Sequence, residues 1–143
     1  MSFRKLEATI FTDESLAHRR SIAVLRLTIA MIVGAHGFAR ALHGAVTPFG
    51  EWLESQGVPF GLAIASLITA LEIFASGLFL VNRLVLFLAP ILATVYAAGV
   101  VMVHAPAGWF VVGLGRNGAE FGVLLIAALV AVWLPTFSRW LTS

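Results

Sequence analysis

LVLFLAPILATVYAAGVVMVHAPAGWFVVGLG, residues 84–115, runs for 32 positions without an Asp, Glu, Lys or Arg. A bilayer core about 30 Å thick is crossed by about 20 helical residues, so this one stretch crosses a membrane with residues to spare. Its apolar residues are continuous and do not alternate, which argues against a transmembrane strand, and only a helix satisfies its own backbone hydrogen bonds in lipid. A second uncharged run covers residues 121–138. Working outward from these two, four segments are long and apolar enough to span: 21–42, 60–81, 84–104 and 117–134. They leave an N-terminal segment at 1–20 and a C-terminal tail at 135–143. The expected fold is an all-α polytopic membrane protein, a four-transmembrane-helix bundle.

Composition agrees. Of 143 residues, 60% are hydrophobic and 11% charged, whereas a soluble domain carries about 25% charged residues. A soluble enzyme or binding module is excluded. The nine basic residues are scattered in ones and twos and form no nucleic-acid patch. Without cysteine the chain holds no disulfide, thiolate zinc site, iron–sulfur cluster or dithiol relay, so any redox chemistry is borrowed from a partner or a bound cofactor.

The second and third spans are joined only by Asn82 and Arg83, which predicts a tight antiparallel hairpin with the two spans as neighbours. In the first long connection, Phe49, Trp52 and Leu53 share a helical face beside Glu51 and Glu54, the pattern of a short interfacial helix over 48–57. Residues 105–115, with Pro106, Trp109 and Phe110, read as a re-entrant or interfacial aromatic loop. Arg4, Lys5, Arg19, Arg20, Arg83 and Arg139 fall on one face and only Arg40 and Arg116 near the other. The positive-inside rule then places both termini in the cytoplasm. The first apolar stretch is too long for the h-region of a signal peptide.

An ionisable group inside a membrane costs about 2.5–3.5 kcal/mol even on the permissive insertion scale, so each one needs a partner or a role. Counted from the cytoplasmic ends of their spans, Arg26 and Glu72 differ in height by about 6 Å, which predicts a structural ion pair. Thr69 and Ser76, at i−3 and i+4 from Glu72, extend a polar stripe that faces the bundle interior. Toward the outer side His36, Arg40 and His43 share one helix stripe. His104 lies across from them, with Arg116 and Glu120 as an i,i+4 pair. The expected ligand site is therefore His36, Arg40, Glu72, His104 and Glu120, with a wet outer vestibule above Glu72. The bland alternative is that these residues only pair with each other or meet headgroups. One His per helix argues against a haem between His36 and His104, and no zinc pattern exists. Gly113, Gly115 and Gly118 spell G-x-G-x-x-G, without the preceding strand that a dinucleotide site needs. Small residues such as Gly34, Gly37, Ala75 and Gly77 permit close helix contacts and leave a homo-oligomer open. Pro90 predicts a kink in the third span.

The first span carries Leu25-Arg26-Leu27 and then Gly34-Ala35-His36-Gly37-Phe38-Ala39-Arg40. An amphipathic stretch ending Gly57-Val58-Pro59 follows, then Ala70-Leu71-Glu72-Ile73, Asn82-Arg83 and Gly118-Ala119-Glu120-Phe121. In order and spacing, over about residues 20–135, this pattern resembles the DoxX family of four-helix bacterial membrane proteins. The family pattern often has Lys where Arg40 stands, a change that keeps the charge and alters the hydrogen-bond geometry. The resemblance implies a bacterial inner-membrane location and carries over to Arg26, His36, Gly37, Arg40, Glu72 and Glu120. The family's namesake is linked to a thiosulfate:quinone oxidoreductase, while most members have no assigned activity. Three readings follow: an accessory subunit that binds a quinone or similar amphiphile for a redox partner protein, a non-enzymatic small-molecule or proton carrier, and an assembly scaffold. In the first, the head of the amphiphile meets His36, Arg40 and Glu120, with Phe38, Tyr96 and Phe121 flanking a ring.

Overall fold

A computed structural model describes residues 14–142. Among the described residues there is no strand. The elements are α1 (Glu14–Leu42), α2 (Val46–Ser55), α3 (Gly61–Leu80), α4 (Val85–Gly99) and α5 (Glu120–Leu141), with a π-helical turn at Val100–His104 and a 3-10 turn at Ala105–Ala107 continuing α4. Four helices are long and apolar enough to cross a membrane: Leu16–Leu42, Gly61–Leu80, Val85–Ala107 and Glu120–Leu141. The chain is an all-α, multi-pass membrane protein. Arg4 and Lys5, two of the orienting charges, lie outside the described residues.

The helix ends follow from local chemistry. Gly44, Gly57 and Asn82 sit in the left-handed region at φ 64°, 83° and 55°. Behind each, the next N–H reaches five residues back: Ala45 to the Arg40 carbonyl at 2.9 Å, Val58 to Leu53 at 3.0 Å and Arg83 to Leu78 at 2.8 Å. This closure satisfies the last carbonyls of a helix and reverses the chain. The short helix expected at 48–57 is present as α2, with Leu53 buried. It crosses the start of α3 at two glycines, for a Cβ on Gly50 would lie 2.7 Å from the Leu62 Cα. Glu54 Oε1 accepts the Gly61 N–H at 3.1 Å, capping a free donor at the positive end of α3.

The hairpin at Asn82 and Arg83 does not make α3 and α4 principal partners. Instead α1 packs mainly on α3 and α4 on α5, with α1 and α5 in lighter contact. Small residues decide this. A Cβ on Gly34 would meet Ser76 at 3.1 Å, and one on Gly37 would meet the Glu72 Cβ at 2.9 Å, so α1 and α3 touch along a seam that larger residues would open. On the other side Gly122 lets α5 approach Val100. Ile29, Val33, Phe79, Leu92, Leu129 and Val132 fill the centre between the two pairs.

α1 begins below the expected span and α5 runs past residue 134, through Pro135, to Leu141. Trp133, Phe137 and Trp140 stack along its last turns with centroids 4.5 and 6.0 Å apart, and packing at i,i+4 and i,i+3 supports a helix.

Candidate functional site

Glu72 is 1% exposed, near the middle of α3. Its Oε2 accepts Arg40 Nη1 at 2.7 Å and its Oε1 accepts the Tyr96 hydroxyl at 3.0 Å. Arg40 Nη1 also donates to Thr69 Oγ1 at 3.1 Å, while that hydroxyl donates to the Ala65 carbonyl at 2.7 Å. The Arg40 guanidinium lies 4.6 Å from the centre of the Phe49 ring on α2, a cation–π geometry. Three transmembrane helices and α2 thus converge on one carboxylate. A buried charge is tolerable when paired and hydrogen-bonded on both oxygens.

The expected pairing of Glu72 with Arg26 is corrected: the partner is Arg40. The Gly34–Gly37 seam sets the register, and Gly37 stands level with Glu72. Arg26 lies eleven residues further down α1, about 16 Å away at 1.5 Å per residue. Its Nη1 is buried without a hydrogen-bond partner. Counting from span ends misjudged the height because those ends are not level: with Gly37 opposite Glu72, α1 projects well past the Leu80 end of α3. Ser76, expected on the polar stripe, is buried there but donates to the Ile73 carbonyl at 2.7 Å and takes no part in the cluster.

Two cavities adjoin the cluster. An apolar lateral cleft of about 490 Å³ lies between α1 and α5, with Tyr96 and His104 contributed from the α4 side. Thr28 and Ile32 of α1 and Phe121 and Leu124 of α5 are exposed at its rim, so it opens on the apolar surface of the bundle. An outer groove of about 560 Å³ is lined by His36, Ala39 and Arg40 of α1, by His43 in the turn after it and by Phe49 of α2. The His36 ring stands edge-on to Tyr96 at 6.2 Å and 74°.

The expected site residues are therefore divided. His36 and His104 line the cleft, Arg40 and His43 line the outer groove, and Glu72 is sealed behind Tyr96 and Arg40. His104 reaches the cleft from the π-helical turn, a feature frequent at functional sites. Its Nδ1 lies 2.8 Å from the Asn117 carbonyl, and since a carbonyl only accepts, Nδ1 carries the proton. Glu120 does not pair with Arg116. Its Oε1 accepts the Val111 N–H at 3.0 Å, which ties the aromatic loop to the N-terminus of α5. In that loop the Ala119 and Glu120 N–H groups donate to the Gly108 and Trp109 carbonyls at 3.0 and 3.1 Å. Gly118, the last glycine of G-x-G-x-x-G, is needed because a Cβ there would strike the Trp109 backbone. Phe38, expected beside a ligand ring, is 50% exposed and lines neither cavity, whereas Tyr96 and Phe121 line the cleft. Among the described residues no group of three His, Asp or Glu could hold a metal.

The role of Tyr96 was legible only as an aromatic residue in an apolar run; its bond to Glu72 depends on how α4 turns against α3, which periodicity does not report. No family model matches the chain, and no curated protein or solved structure matches it.

Proposed function

We propose that this chain is a DoxX-like protein of the bacterial inner membrane that binds a quinone or similar amphiphile in the lateral cleft, as an accessory subunit of a quinone-linked redox or detoxification system. The observation that carries this reading is the cleft: about 490 Å³, walled mainly by aliphatic residues, open at the apolar surface, with His36, Tyr96 and His104 on its wall. An apolar pocket of roughly 300–1,000 Å³ with a few polar groups is the usual form of a small-molecule site. A ring enters between Tyr96 and Phe121, its carbonyl toward His36 or His104 and its tail toward lipid. A quinone bound there would supply the redox chemistry; this chain's residues bind it, orient its head and exclude water. Arg40 and Glu72 hold Tyr96 in place behind the cleft. On this reading both termini face the cytoplasm and electrons come from a partner protein.

The test is thermal unfolding of the purified protein against a short-chain quinone. Specific binding raises the melting temperature as concentration passes the dissociation constant. Thr28→Trp, at the exposed rim, should fill the cleft and abolish the shift without unfolding the protein. An equal shift in wild type and Thr28→Trp, or none in either, would favour the scaffold reading.

A further inference from the structure

The outer groove and the lateral cleft have one wall residue in common, His36. Resting on the ligand reading of the cleft, we propose that His36 exchanges protons between the outer groove and the head of the cleft ligand.

The neighbouring polar groups are bonded elsewhere or reach one cavity only. Tyr96 donates its hydroxyl to Glu72, and His104, with Nδ1 spent on the Asn117 carbonyl, lines the cleft but not the groove. On α3, Glu72 has both oxygens bonded, to Arg40 and Tyr96. Arg40 on α1 and His43 in the turn after it line the groove above His36 but not the cleft. Near α5, Glu120 is held by the Val111 N–H and Arg116 is exposed on the loop. α2 contributes the uncharged Phe49 to the groove. His36 is left with a ring contact to Tyr96 and no hydrogen bond to the described residues. Imidazole is the side chain that gains or loses a proton between about pH 5 and 8. Its two nitrogens are distinct donor and acceptor positions, so one ring can serve two compartments. As the partner protein reduces a bound quinone, a proton taken at the groove side passes to the quinone oxygen that has gained the electron; when a quinol is oxidised, its hydroxyl proton leaves by the same ring in the other direction. Protonated His36 donates to a carbonyl, so binding is tighter at low pH.

Because the chain has no cysteine, His36→Cys introduces its sole thiol. A charged maleimide should label that thiol in membrane vesicles open on both sides, and a short-chain quinone should slow the labelling. Ala39→Cys, in the groove alone, should label without quinone protection. Quinone affinity of wild type, followed by thermal shift, should fall about tenfold as pH rises across the imidazole range. His36→Gln should still bind with a flat pH profile, and His104→Gln should keep the slope. Quinone binding without a pH slope in wild type, a slope retained in His36→Gln, or a His36→Cys thiol that quinone leaves unprotected overturns the exchange role and leaves the cleft reading standing. Failure of wild type to bind quinone at any pH removes the cleft reading and this role with it.

Discussion

Arg40 of α1 meets Glu72 of α3 at 2.7 Å, with the carboxylate 1% exposed and its other oxygen taken by Tyr96. The pair locks the two helices at the level where Gly37 brings their backbones together. Each of the two Glu72 oxygens is bonded, one to α1 and one to α4, which favours an architectural role for this carboxylate.

A double-mutant cycle measures that role. Arg40→Met or Glu72→Gln alone leaves a buried polar group without its partner, at about 3–5 kcal/mol for a buried ion pair, whereas the double replacement is close to neutral. Unfolding in mixed detergent should therefore show strong coupling between residues 40 and 72. Arg26→Met combined with Glu72→Gln should be additive, since the two do not meet. Coupling at 26 and additivity at 40 would reverse the assigned register.

The α1–α3 seam makes two glycines respond with opposite sign. A methyl on Gly37 would press on Glu72 and Ile73 at 2.9–3.1 Å, while one on Gly77 meets nothing within 4 Å. Gly37→Ala should destabilise by about 1–3 kcal/mol through overpacking, less the helix-propensity gain. Gly77→Ala should stabilise by up to about 1 kcal/mol, because alanine is the better helix former. The same unfolding assay reads both, and equal effects would show that α1 and α3 are further apart.

Topology is tested by reporters. Arg83 lies in the α3–α4 hairpin and Arg139 in the last turn of α5, so both mark the side on which basic residues accumulate. Fusions truncated after Arg83 and after Ser143 should both report cytoplasm. A periplasmic signal from either would invert the membrane sidedness proposed for the outer groove.

Fold class was legible because it follows from run length: residues 84–115 cross a membrane whatever they pack against. Partner choice was not. Charge and span-end counting matched Glu72 with Arg26, but the decisive residues were Gly34 and Gly37, whose small size lets α1 slide until Arg40 reaches Glu72. His36, Arg40 and His43, expected on one helix face, line one groove, His43 from the turn just past the end of α1. What spacing could not reveal is that α2 covers its upper end with Phe49 while the cleft opens below, so the three residues share the groove and only His36 reaches the cleft. Glu120 likewise looked like a vestibule carboxylate, and its bond to the Val111 N–H depends on the path of a loop without periodic signal.

Pro90 gives the last test. A proline has no N–H, so the carbonyl four residues earlier, that of Leu86, loses its helical donor. Trp133 of α5 supplies one, its indole N–H donating to the Leu86 carbonyl at 3.0 Å. In an apolar interior an unsatisfied carbonyl costs about 1–3 kcal/mol, so Trp133→Phe should destabilise by that amount beyond the change in packing. Pro90→Ala restores a main-chain donor to Leu86, and in that background Trp133→Phe should lose most of its effect. The α4–α5 pair would then be held by side-chain packing, with Leu92, Leu129 and Val132 still buried between the helices. Undiminished loss from Trp133→Phe in the Pro90→Ala protein would show that the indole contributes by packing on Phe137 and not by satisfying the carbonyl that the proline exposes.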